Sequence, residues 1–276
     1  MDGTTLITTG VQVIEAEGLR YVFAAGAVSL LFVLTRRWTA ATRIQSRRAS
    51  LSDVVREIRH SMMTVVIFGL TGALILTLRQ ANLITIDLLP PNLLAGAAQA
   101  VLLIVSHDAY FYWMHRALHS RRLFKLVHAV HHKSRTPTPW ASYSFSALEA
   151  VAQAAILPLF LLLVPLSVPV IFFFLTYQMV GNAFGHCGHE LMPSGFTRHW
   201  ATKWFTTSTH HNLHHSDVRC NYGLYFTWWD RLMGTYCAQP TLGHQGMHLG
   251  LANDNNNDAR PDRFWRALIQ PFGKLP

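Results

Sequence analysis

The chain has 276 residues, 50% of them hydrophobic and 13% charged, with a formal net charge of +9 and a mean hydropathy of +0.21. About half the usual charged fraction argues against a soluble domain, and the apolar content excludes disorder. Three cysteines with no C-x-x-C pair give no disulfide framework, while 16 histidines outnumber the 14 acids.

The first apolar span runs from Leu19 to Thr35, with only Arg20 near its outer end and with Glu15 and Glu17 ahead of it. A start at Met1-Asp2 with no basic segment does not read as a cleaved signal. Ser61 to Leu78 is a second span. Leu93 to Ser106 begins a third and continues into Tyr110-Phe111-Tyr112-Trp113, an aromatic cluster suited to a membrane–water interface. Ala147 to Phe184 is apolar apart from Glu149 and is broken by Pro165 and Pro169. It reads as a hairpin of two short helices, crossing or partly re-entrant. Each arm is about 25 Å long, barely enough for a ~30 Å core. Asn253 to Asp258 is a polar linker. Phe264, Trp265, Leu268, Ile269 and Phe272 then share one helical face, which suits either the interface or packing on a cytosolic domain.

The expected fold is an all-α integral-membrane bundle of three long spans plus a helical hairpin, under a cytosolic histidine-rich helical cap. It divides into residues 1–92 (spans and basic loop), 93–240 (catalytic region with hairpin) and 241–276 (linker and amphipathic tail). Arg20 and Arg79 apart, every lysine and arginine falls in three segments that this topology places on one face. The positive-inside rule makes that face cytoplasmic. The basic balance is thereby explained without nucleic acid.

The histidines gather on the same face. His115 and His119 form H-x3-H, and His128, His131 and His132 form H-x-x-H-H. His186 and His189 follow the hairpin, and His211, His214 and His215 repeat H-x-x-H-H beside His210. The i, i+3, i+4 spacing puts each box on one helical face. His210 is out of phase with its neighbours, and His107 reads equally as structural or binding. His60, His199, His244 and His248 read as structural or surface residues. Imidazole suits Zn, Cu, Fe and Ni, and eight to ten ligands are too many for one ion, so two ions are implied. H-E-x-x-H is absent, and the single E-x-x-H (Glu57, His60) is isolated, so neither zinc hydrolysis nor a carboxylate-rich di-iron bundle is supported. A histidine-rich metal pair beside an apolar hairpin points to oxidation of a lipid C–H bond. The competing reading is a non-enzymatic histidine-rich membrane protein that binds or transports metal. A transporter calls for acids at mid-depth, where these spans show none.

Several motifs then match one family in order. They are Asp108 seven residues before HRALH, then HAVHH, TPTPWASYSF leading to Leu148-Glu149, His186-x-Gly188-x-Glu190, HNLHH, Asn221-Tyr222-Gly223 and Trp229-Asp230-Arg231-Leu232 to Gly234-Thr235. Over Asp108 to Tyr236 the chain resembles the fatty acid hydroxylase superfamily of sterol desaturases and membrane lipid hydroxylases. HHKSRTPTPWAS and WDRLMGTY resemble its sterol C5-desaturase branch.

The resemblance implies two non-haem Fe ions, O2 as co-substrate and a separate ferredoxin- or cytochrome b5-type electron donor. It also implies hydroxylation or desaturation of a sterol, fatty acyl, isoprenoid or related lipid. The spacing alone would accept Zn as well. By position the implied ligands are His115, His119, His128, His131, His132, His186, His211, His214 and His215, with His189 as a tenth. Asp108, Asn182, Glu190, Asn221 and Asp230 are candidates to support them, since a metal-bound histidine donates its other N–H to such groups. Ser146-Ala147 stands where the C5-desaturase branch has His-Pro, a departure that bears on a sterol substrate. A bacterial inner membrane and an endoplasmic reticulum both fit, and the compact chain favours the former.

Overall fold

A computed structural model describes residues 3–238. The expected linker and amphipathic tail lie outside the described residues. The protein is an all-α multi-pass membrane bundle. Helix α1 (Gly3–Leu34) leads through the single turn α2 (Arg36–Thr39) to α3 (Leu51–Gln80). Helix α4 (Leu93–Leu118) follows, then the short turn α5 (Arg121–Leu123). The hairpin is α6 (Ala147–Ala154) and α7 (Ile156–Leu161), returning as α8 (Val168–Gly185). Two short helices complete the order, α9 (Ser208–Ser216) and α10 (Trp228–Met233).

Among the described residues, four helices are long and apolar enough to cross a membrane, within α1, α3, α4 and α8. The other hairpin arm, 147–161, is shorter. Their outer faces expose large apolar side chains such as Phe23, Leu31, Leu70, Leu94 and Phe172, as expected where lipid replaces water. Local signals set the boundaries. Ser50 and Asp53 form a capping box that starts α3, the Asn92 side chain accepts from the Ala95 N–H to start α4, and Pro169 sits in the first turn of α8.

Two apolar cores run through the bundle. One centres on Tyr21, Val65, Tyr143 and Met179, the other on Leu103, Leu157, Leu166 and Phe174. Helices α1 and α3 meet at glycines. A Cβ on Gly69 would fall 2.7 Å from the Ile14 Cα, and one on Gly72 would fall 2.5 Å from a Val13 methyl. Small residues at such a seam let two membrane helices approach backbone to backbone.

At one end of the bundle, strand β1 (Ile86–Asp87) pairs in parallel with β2 (Leu166–Ser167), which fastens the α3–α4 loop to the hairpin turn. At the other end, the α1–α3 connection joins the segment after α8. The Ile44 N–H donates to the Gly188 carbonyl, and the Glu190 N–H to the Thr42 carbonyl. The α1–α3 connection, which carries Arg36, Arg37, Arg43, Arg47 and Arg48, lies at this second end.

Two features differ from the sequence-based reading. Helix α1 starts sixteen residues earlier than Leu19 and carries Glu17 inside it, buried and ion-paired with Arg20. Pairing lowers the cost of holding both charges in an apolar segment, so the helix continues through them. The spans therefore do contain a buried acid. Second, Cys220 and Cys237 are joined in a disulfide, leaving Cys187 as the buried free thiol among the described residues.

Candidate metal centre

The histidine boxes converge at the end of the bundle where the α1–α3 connection lies, and they divide into two buried groups. His115, His119, His128, His132 and His214 form one; His131, His186, His211 and His215 form the other. Within each group the ligand atoms lie within 4.8 Å of one another. Neither H-x-x-H-H box serves a single group. His128 and His132 go to the first while His131 goes to the second; His214 goes to the first while His211 and His215 go to the second.

Backbone geometry explains the split. HAVHH is no regular α-helix, because a π-turn (Phe124–His128) gives way to a 3-10 turn at His131–Lys133. HNLHH lies in α9, wedged between the two groups.

The outer ring nitrogens are fixed by acceptors. His115 Nδ1 donates to the Tyr222 carbonyl at 2.9 Å, His128 Nδ1 to Glu149 Oε1 at 2.7 Å, and His186 Nδ1 to the Asn182 carbonyl at 2.8 Å. His214 Nδ1 donates to the Cys220 carbonyl at 2.7 Å, and a longer contact joins His131 Nδ1 to the Ser144 carbonyl at 3.4 Å. A neutral imidazole whose Nδ1 holds the proton has a bare lone pair on Nε2. Those lone pairs face each other. Nε2 of His115 is 3.0 Å from that of His128; Nε2 of His211, a ring whose tautomer no Nδ1 acceptor fixes, also comes within 2.9 Å of that of His186. Nε2 of His131 is 3.4 Å from that of His186.

Apposed lone pairs repel unless a cation lies between them. Metal–nitrogen bonds of about 2.1 Å at right angles put ligand nitrogens about 3.0 Å apart, the separation seen here. Both ring nitrogens of His119 and Nε2 of His214 are buried without a hydrogen-bond partner, so each ring has a nitrogen free to bind a cation. The donor set therefore fits metal ions.

Protons are poor substitutes for metal here. Burial pushes His186 and His214 down to about 4. It pushes His119, His131, His132, His211 and His215 lower still, with neighbouring imidazoles adding repulsion.

The other expected site residues sit as follows. His189 lies outside both groups; its Nδ1 is 3.1 Å from the Thr39 carbonyl and its ring stacks on Phe32. His210 also stands apart, with Nε2 3.2 Å from the Tyr236 hydroxyl. His107 meets the Tyr225 hydroxyl at 3.0 Å. Asp108 touches no histidine. It accepts from the Tyr225 and Phe226 N–H groups and from Trp228 Nε1. Asp230 accepts from the Tyr222 and Gly223 N–H groups and so holds the peptide segment that receives His115. Glu190 accepts from Thr207 and from the Thr209 N–H at the start of α9. Asn221 adopts positive φ and bonds Cys237 through both ends of its amide. Asn182 acts on His186 through its backbone, while its side chain donates to the Ser142 carbonyl.

The carboxylate that does touch a histidine is Glu149, fully buried, which sequence reasoning passed over. The available signal was a lone acid in a long apolar run.

Beside the histidines lies a cavity of about 360 Å³, within the size range of small-molecule sites. Phe111, Phe145 and Asn182 line it and also touch the centre. The Phe111 ring is 4.9 Å from that of His115, and the Phe145 ring is 5.2 Å from that of His131.

Residues 100–235 match the family described as fatty acid hydroxylase. The chain is 32% identical over 168 residues to a Delta(7)-sterol 5(6)-desaturase of Gibberella zeae, covering 58% of this chain and 50% of that one. It is 32% identical over 146 residues to lathosterol oxidase of Rattus norvegicus, covering 53% and 47%. It is 33% identical over 136 residues to a very-long-chain aldehyde decarbonylase of Oryza sativa subsp. indica, covering 45% and 21%. The chain thus spans about half the length of the sterol-oxidising relatives it matches. No solved structure matches it.

Proposed function

Because residues 100–235 belong to the fatty acid hydroxylase family, we propose that this chain is a membrane-bound oxidoreductase that hydroxylates or desaturates a lipid. The observation that carries the reading is the contact between the two histidine groups and the cavity through Phe111, Phe145 and Asn182. Two Fe ions would be held, one by His115, His119, His128, His132 and His214, the other by His131, His186, His211 and His215. Bound there, they would supply O2 activation and removal of hydrogen from an unactivated carbon.

The protein's own residues do the rest. Glu149 and the carbonyls of Tyr222, Asn182 and Cys220 hold the Nδ1 protons and so aim the Nε2 lone pairs inward. Phe111 and Phe145 set an apolar wall between the histidines and the cavity, excluding water from the reacting carbon. Electrons come from a separate ferredoxin- or cytochrome b5-type protein. His189 is assigned a supporting rather than a ligating place, because it lies outside both groups of converging ligand atoms.

Metal content per chain in detergent-purified protein tests the reading. Two irons are expected, with His214→Ala depleting one group and His215→Ala the other. Lipid profiles with and without O2 then identify the product. No metal, or one ion unaffected by either variant, would overturn it.

A further inference from the structure

Away from the histidines, the cavity wall carries an ion pair that the oxidation chemistry does not use. Glu17 and Arg20 face it from α1, Tyr143 from the loop before α6, and Gln178 from α8. They form one chain of bonds. Arg20 pairs with Glu17 Oε2, the Tyr143 hydroxyl donates to Glu17 Oε1 at 2.8 Å, and Gln178 Nε2 donates to the Tyr143 hydroxyl at 3.1 Å. Glu17 lies seventeen residues before the end of α1, about 25 Å along the axis, well inside the span.

Charged groups at such a place are costly and call for a partner or a task. The pair has spare capacity. Arg20 commits one nitrogen to Glu17, and its other N–H groups have no hydrogen-bond partner among the described residues. The amide oxygen of Gln178 is likewise uncommitted. Spare donors and a spare acceptor therefore look into a cavity whose remaining wall is largely, though not wholly, apolar, and they carry its only ion pair among the described residues. The charges are already balanced, so an anionic head would meet Glu17 and a cationic head would meet Arg20. A neutral hydroxyl, which donates and accepts at once, satisfies both free groups.

We infer that Glu17, Arg20, Tyr143 and Gln178 form a polar anchor that binds the free hydroxyl of a neutral lipid alcohol, with its hydrocarbon body in the cavity. Taken with the lipid-oxidising reading above, on which this step rests, that alcohol is the substrate, and the anchor sets which carbon is presented. The Phe145 ring lies 6.4 Å from the Tyr143 ring and 5.2 Å from the His131 ring. Phe145 thus bridges the anchor and the histidines, and the oxidised carbon lies along the body of the alcohol, beyond its hydroxyl.

The test is competition against radiolabelled hexadecan-1-ol on the purified full-length chain. The competitors are hexadecan-1-ol, hexadecane, hexadecanoate and hexadecylamine. The alcohol should compete about tenfold better than the other three, the worth of one well-made buried hydrogen bond to a charged group. Gln178→Leu should lower that preference. Glu17→Gln leaves Arg20 uncompensated, so hexadecanoate should gain on the alcohol. Arg20→Gln leaves Glu17 uncompensated, so hexadecylamine should gain. A gained preference cannot come from misfolding. Equal competition by all four probes in the unaltered protein, or an unchanged rank order in Glu17→Gln and Arg20→Gln, would overturn the anchor. Metal content measured on the same preparations keeps the two readings apart. Iron and turnover with a flat probe ranking would remove the anchor alone. A head-group ranking with no bound metal would keep the anchor and remove the oxidase.

Discussion

Glu149 is the only carboxylate among the described residues that holds a ring nitrogen of the nine grouped histidines, and it acts from a fully buried position through the proton on His128 Nδ1. A carboxylate oxygen accepts this proton more strongly than an amide oxygen does, and so orients the ring and raises the basicity of its Nε2. Glu149→Gln keeps an acceptor oxygen and should lower metal affinity about tenfold; Glu149→Leu removes it and should approach about 100-fold. Retention of iron after a timed chelator challenge checks this, with equal retention in all three proteins as the contrary result. The pH dependence follows from burial. His186, His210 and His214 sit at about 4, below an ordinary imidazole. Unfolded, they take up protons as the pH falls below about 6.5; folded, they refuse them until about 4. The unfolded state then binds more protons, so stability declines across that window and is level above it. Thermal unfolding of the metal-depleted chain should show Tm falling from pH 7 to pH 5 and unchanged from pH 7.5 to pH 8.5.

Among the helices, the seam between α1 and α3 is the least forgiving. A methyl at Gly69 would collide with the Ile14 backbone, which cannot swing aside as a side chain can. Gly69→Ala should cost about 1 to 3 kcal/mol, as overpacking of a tight contact does. Gly181 on α8 has nothing within 4 Å of its would-be Cβ, so Gly181→Ala is the matched substitution with no such penalty. Thermal melts of the two variants in one detergent give the comparison. The spans and the hairpin were legible in the sequence because hydropathy and proline placement are local. The early start of α1 was not, because Glu17 is made tolerable by Tyr143, a residue 126 positions away. The spacing of each H-x-x-H-H box showed that its histidines act together. It could not show that the middle histidine of HAVHH parts from its neighbours, since that depends on a π-turn and on where α9 is wedged. Glu149 escaped for a related reason. One acid has no periodicity, and its meaning came only from the ring it faces.

For the molecule as a whole, the ends of the bundle differ in charge and in chemistry. The arginine-rich α1–α3 connection and the histidine groups share one end, bridged at Ile44–Gly188 and Thr42–Glu190. The paired strands β1 and β2 mark the other. The positive-inside rule predicts that the histidine end faces the cytoplasm. A cysteine introduced at Ser46 should react with a membrane-impermeant maleimide only from the cytoplasmic face. One at Leu88, which is 74% exposed, should react only from the opposite face. The native background is low, because Cys187 is buried and Cys220 and Cys237 are bonded to each other. Labelling of both positions from one side would reject the topology.

The interleaving of the two H-x-x-H-H boxes has a consequence for how the protein fills. Each box hands histidines to both groups, so neither group can be ordered without fixing backbone that the other needs. The ordering cost falls chiefly on the first ion, and the second arrives at a place already shaped. Loading should therefore be sigmoidal in metal concentration, with a Hill coefficient between about 1 and 2. Half-filled molecules would be fewer than two independent sites would give, and a cell short of metal would hold more empty and complete protein, and fewer half-built centres, than random filling predicts.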